Sequence, residues 1–198
     1  MAEHSTKEKL IYAALDLFSY KGYSATSVDE IAGAIGIKGP NLYKYFKGKE
    51  DLYNELHHLT ESEYFRNMGI ALENSIKIDS GAALKEFSMR QLNFTITNDT
   101  VKKLRKMCTI EQYRTESIGK LTTYHQYTTI MGLYKSIFSE MIKLGIIEEC
   151  DVEILALEYV SPVSLLIQIC DREPEKKDEM IELAERFFDH FIKKYCRS

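Results

Sequence analysis

Four lysines, Lys38, Lys44, Lys47 and Lys49, lie within twelve residues that contain no acid. Tyr43, Tyr45 and Phe46 are interleaved with them, and Gly39-Pro40-Asn41 precedes the aromatics. Ammonium groups neutralise phosphates, and phenol hydroxyls donate to phosphate oxygens. Lysine can donate to guanine O6/N7, asparagine can pair with adenine N6/N7, and a proline ring can touch a thymine methyl. The chemistry on offer is nucleic-acid recognition, provided that a fold aims these groups at a duplex. A solvated lysine face without a partner is the bland alternative. The chain as a whole carries a net charge of −4, so its surface is not generally polyanion-binding. Residues 1–58 hold seven lysines against eight acids, a segment polarised along its length and nearly neutral in sum.

The elements that would position these groups are helices. Ile11, Ala14, Leu15 and Phe18 fall at i, i+3, i+4, i+7 over residues 6–21, and Gly22 follows as a stop. Ser27 and Glu30 form an S-x-x-E capping box ahead of a second stripe of Val28, Ile31, Ala32 and Ile35, which Gly36 ends. Gly39 is an acceptable N-cap, Pro40 suits a first helical position, and Leu42 and Phe46 form the buried side of a third, short helix. Glu50 and Asp51 then stand where a helix N-terminus favours negative charge. Three helices in a row, the last two short and tightly joined, make a helix-turn-helix with a supporting helix. The start of its last helix would enter the major groove while flanking groups hold phosphates. Lys49 would stand at a helix start, whose free N–H groups also favour a phosphate.

Residues 7–56, about a quarter of the chain, resemble the DNA-binding domain of the tetracycline-repressor (TetR) family of bacterial transcription regulators. The pattern runs through Phe18, Gly22, Tyr23, Ser27, Val28, Ile31, Ala32, Gly36, Ile37, Leu42, Tyr43, Tyr45, Phe46, Lys49 and Leu52. Ile35 replaces a frequent alanine, Gly33 interrupts the second helix, and Lys38-Gly39-Pro40 stands where family members often have Ser or Thr. The resemblance implies an Ω-shaped, all-α dimer, with a three-helix reading domain at 1–48 and a six-helix ligand-binding and dimerisation domain at 49–198. It implies phosphate contacts at Ser27, Tyr43, Tyr45, Lys47 and Lys49. Base contacts would come from Lys38, Gly39, Pro40, Asn41 and Lys44. The implied partners are a palindromic double-stranded operator, a second copy of the chain and a small-molecule effector, whose binding releases the operator.

The remaining chain reads as helices over 48–76, 82–97, 100–116, 119–144, 151–170 and 174–196. Polar groups break the apolar stripes of the middle helices, as a small-molecule site requires. The candidates are Phe87, Gln91 and Phe94; Met107, Cys108 and Glu111; Tyr124, His125, Tyr127 and Thr128; and Gln168. The helix over 151–170 is apolar all round and so demands burial on several sides. A partner subunit supplies a second burial face, which puts Leu155, Tyr159, Val163 and Leu166, with Phe187, Phe188 and Phe191, in a dimer interface.

No HExxH, glycine-rich phosphate loop or zinc spacing occurs, so neither an enzyme nor a metal or other cofactor is expected. Rival readings are a helical carrier or enzyme whose helix-turn-helix reads nothing, and a regulator that answers to a protein partner. Cys108, Cys150, Cys170 and Cys196 lie far apart, which fits reduced thiols in the cytoplasm. No secretory leader is visible in MAEHSTKEK, and no apolar run is read as membrane-spanning.

Overall fold

In the computed structural model, residues 5–56, 58 and 78–197 are described. They fold as helices and turns, apart from one isolated antiparallel bridge between Ile147 and Cys196. The helices are α1 (Thr6–Lys21), α2 (Val28–Ala34), α3 (Gly39–Leu42), α4 (beginning at 49 and helical through 56), α5 (Gly81–Thr97), α6 (Asp99–Glu111), α7 (Glu116–Thr123), α8 (Ile130–Lys143), α9 (Val152–Arg172) and α10 (Lys177–Tyr195). The expected course of α4 to residue 76 lies, beyond 58, outside the described residues.

Local chemistry sets the boundaries. Ser5 with Glu8 and Ser27 with Glu30 form complete capping boxes at the starts of α1 and α2. Gly22, Gly36 and Gly145 take positive φ where α1, the α2 turn and α8 end, a conformation open to glycine without steric cost. Lys38, rather than Gly39, is the N-cap of α3, which places Pro40 at the second helical position. The expected helix over 119–144 divides. Residues Glu116–Thr123 are α-helical, Tyr124–Thr129 wind as a π-helix, and the α-helix resumes at Ile130. A π segment inside a helical run shifts the side-chain register, which a 3.6-residue stripe does not anticipate.

The described residues pack as two compact units. One contains α1–α4 with residues 99–122, and the other contains residues 78–98 and 123–197. The sequence pattern predicts a boundary at 48/49, with 99–122 in the second domain. Packing groups α6 with the N-terminal helices instead, because Met107, Cys108 and Ile118 complete the core formed by Leu10, Ile11, Phe18, Ile31, Leu42, Phe46 and Leu52.

In the second unit α9 packs on α5, α8 and α10. By length and composition α9 is apolar enough to cross a membrane, contrary to the sequence reading. One side of it, Leu155, Ala156, Tyr159, Val160, Leu166 and Cys170, is buried within the unit. Rings from α8, α9 and α10 form its interior: Tyr159 lies 4.5 Å from Phe191, 5.3 Å from Phe138 and 5.4 Å from Phe188 between centroids.

Candidate nucleic-acid interface

The inner side of the helix-turn-helix is closed by Ile31, Ala32, Leu42 and Phe46. That burial turns the opposite side of α3 outward. Lys38, Pro40, Tyr43, Lys44, Tyr45 and Lys47 are exposed there, Tyr43 by 59% and Tyr45 by 42%, and Asn41 is half-buried. Two large aromatic rings left in solvent beside three exposed lysines form a surface of cations and hydroxyl donors. Such groups suit contact with phosphate and base edges. Of the expected base contacts, Gly39 is buried and Lys38, Pro40 and Lys44 are exposed.

Two expected phosphate contacts are differently engaged. Ser27 is exposed, but its hydroxyl accepts from the Glu30 N–H at 3.2 Å and donates to the Glu30 carboxylate at 2.8 Å. Glu30 is also ion-paired with Lys21. That hydrogen bond, followed by those from Ser27, holds its carboxyl down at about 2. Lys49 turns inward. Its ammonium donates to the carbonyls of Tyr23 at 2.7 Å and Thr26 at 2.8 Å, and lies 4.3 Å from the centre of the Tyr23 ring. Burial, aided by the charge of Lys21, lowers its pKa, against the pull of Glu111. An ammonium has three donors, and two of these close the loop between α1 and α2. Lys49 is thus a clamp on that loop, a role that sequence spacing does not reveal, because both carbonyls lie more than twenty residues away.

Glu111 reaches the same loop from α6. Its side chain is fully buried, accepting from the Ser24 hydroxyl at 2.8 Å, the Ser24 N–H at 3.3 Å and the Thr115 hydroxyl at 3.3 Å. Gly22 makes room, since a Cβ there would overlap the Glu111 carboxylate. Buried carboxylates require such partners, so Glu111 is explained as a structural acceptor. Met107 and Cys108 belong to the same core, and burial pushes the Cys108 thiol up to about 11. The sequence pattern points to a ligand pocket for all three; the structure packs them beneath the helix-turn-helix.

Of the other pocket candidates, Tyr124, Tyr127, Thr128 and Gln168 are exposed, and His125 and Phe94 are half-buried. Phe87 and Gln91 are buried in the second unit beside residues that the sequence reading did not choose. Ser88 lies 2.7 Å from the Tyr159 hydroxyl and 3.2 Å from the Tyr134 hydroxyl, which donates to Gln91 at 2.5 Å. This is a chain of neutral donors and acceptors set in an aromatic wall.

The expected dimer residues also divide. Leu155, Tyr159, Leu166, Phe188 and Phe191 face the unit's own interior, and Val163 and Phe187 are half-buried. The outward apolar residues of α9 and α10 are Ile154 (51% exposed), Leu157, Leu165 (54%) and Leu183. An all-round apolar helix has two faces, and of the expected residues on α9 Leu155, Tyr159 and Leu166 lie on the inner one.

Comparison with known proteins agrees with this geometry. The sequence pattern described as "Bacterial regulatory proteins, tetR family" matches residues 10–56. The chain is 33% identical over 124 residues to the HTH-type transcriptional regulator AcrR of Shigella flexneri, covering 61% of this chain and 54% of that protein. It is 43% identical over 49 residues to the IcaR negative transcriptional regulator of the icaADBC biofilm operon of Staphylococcus aureus, covering 25% and 26%. The chain therefore spans about half, or less, of these curated relatives. A TetR-family transcriptional regulator from Mesorhizobium loti shares the fold across 96% of both chains, with a TM-score of 0.73 at 21% identity.

Proposed function

We propose that this chain, which belongs to the TetR family of bacterial regulatory proteins, is a cytoplasmic transcriptional repressor that binds a palindromic double-stranded operator as a homodimer. The observation that carries this reading is the outward face of α3 and its following turn: Lys38, Lys44 and Lys47 with Tyr43 and Tyr45, held out by the burial of Leu42 and Phe46. Lysines there supply the sequence-independent attraction to phosphate, and Asn41, Lys44 and Lys38 the base readout.

The outward strip of Ile154, Leu157, Leu165 and Leu183 suits the second copy of the chain, because large apolar side chains in solvent are stabilised by a matching partner face. Two such copies present two recognition helices, which calls for half-sites one helical turn or a multiple apart. The effector is a small, uncharged, largely apolar molecule. Support comes from the interior of the second unit, where Ser88, Gln91, Tyr134 and Tyr159 offer hydrogen bonds without a formal charge. Such a molecule changes operator affinity only to the degree that it binds two packings of the protein unequally, and in this reading it favours release.

Selection from a pool of random duplexes tests the reading. A regulator enriches one palindrome, whose affinity then falls when an effector found by thermal shift is added. Recovery of unenriched sequence would assign the fold to a carrier instead.

A further inference from the structure

Gly39 is buried although it opens the helix whose neighbours Lys38 and Pro40 are exposed. The neighbour that covers it is Asp29, the second residue of α2. A Cβ on Gly39 would overlap the Asp29 Oδ1 atom and lie 3.0 Å from its Cγ. The carboxylate therefore occupies the place where the first side chain of α3 would project. Its surroundings differ from those of the adjacent acid. Glu30 is held by Ser27 and Lys21, whereas no hydrogen bond or ion pair engages the Asp29 side chain among the described residues. Asp29 is exposed, with Lys38, Pro40 and Asn41 flanking the glycine that it covers.

We infer that Asp29 is a specificity-determining residue, whose carboxylate reads a cytosine in each half-site in place of the side chain that Gly39 lacks. This rests on the reading of α3 as the helix that enters the major groove. An ionised carboxylate only accepts hydrogen bonds. Along the major-groove edge, cytosine offers its N4 amino donor, whereas guanine presents O6 and N7 acceptors and thymine presents O4. Adenine offers an amino group beside the N7 acceptor, so cytosine is the better match for a lone carboxylate. The paired guanine then lies open to a lysine, and Lys38 and Lys44 are both exposed on the helix-turn-helix. The donor that the acid meets is the N4 hydrogen of cytosine that base pairing leaves free in the major groove.

The test is duplex selection with the wild-type protein, Asp29→Asn and Gly39→Ala, each checked for folding by circular dichroism. Asn preserves the shape of Asp and replaces one acceptor by a donor. The alanine methyl takes the place of Oδ1 and turns the carboxylate away. Wild-type protein is expected to enrich cytosine at one symmetric pair of positions. Both variants lose that preference at the same positions, keep the rest of the palindrome, and bind the wild-type site roughly tenfold more weakly or worse. Identical selected sequences for all three proteins overturn the inference and leave the operator reading intact. A uniform gain in affinity for every duplex with Asp29→Asn also overturns it, since that reports bulk charge alone. If the wild-type protein enriches no palindrome, the operator reading fails and this inference with it.

Discussion

Replacing Lys49 by alanine separates two roles that the same residue could fill. At a phosphate, its loss from both subunits of a dimer would lower the slope of log affinity against log salt by about 2. The structure instead directs the ammonium at the carbonyls of Tyr23 and Thr26 and over the Tyr23 ring. Hydrogen bonds from a charged donor contribute about 1.5–3 kcal/mol each, and a partly exposed ring contact about 0.5–1 kcal/mol. Water replaces some of this, because the site is only part-buried, so Lys49→Ala is expected to cost about 2–4 kcal/mol. In a chain of this size that lowers the melting temperature by about 5–15 °C. The salt slope of the folded variant stays unchanged, and affinity falls through a loosened loop. Thermal unfolding and operator titration across a salt series measure the two effects. An unaltered melting temperature with a slope reduced by about 2 would refute the clamp and restore the phosphate contact.

Glu30 gives a pH signature. Its folded carboxyl titrates at about 2 against an ordinary 4.5, so its contribution to stability is complete above 4.5 and is lost as pH falls towards 2. Melting curves of the wild type and Glu30→Gln should therefore differ at pH 7 and converge across that window. Leu165→Asp places a charge on the outward face of α9 and should give a folded monomer by light scattering. Phe188→Asp buries a charge among Tyr159, Phe187 and the rest of the aromatic interior, and should unfold the second unit, with circular dichroism and light scattering distinguishing the two outcomes.

What could be read from the sequence was what depends on neighbours. The Ser27–Glu30 box, the α1 stripe and the glycine stops are contained in windows of a few residues, and each appears in the structure where the spacing put it. The exposure of Tyr43 and Lys44 follows from the burial of Leu42 and Phe46 by the same periodicity. Partners distant along the chain were not legible. A stripe containing Met107, Cys108 and Glu111 marks these residues as buried but does not say against which element, and they pack beneath the helix-turn-helix. In α9, composition signals burial on two faces without revealing that Tyr159 looks inward and Leu165 outward. Asp29 carries no signal in the sequence, because its place is set by a contact with a glycine, which has no side chain to announce it.

The bond between Glu111 and Ser24 joins residues 87 positions apart, and the surrounding core draws on Met107, Cys108 and Ile118. The reading head is therefore not a portable module. Cut away after α4, it would expose the apolar side of α1 and leave Ser24 without its acceptor. On the ribosome the first sixty residues must wait for roughly sixty more before their core can close, on the order of several seconds at usual elongation rates. Newly made chains thus complete the core beneath α1–α3 only after Met107, Cys108 and Ile118 have emerged, and a chain terminated before them lacks that support for its exposed lysines and tyrosines.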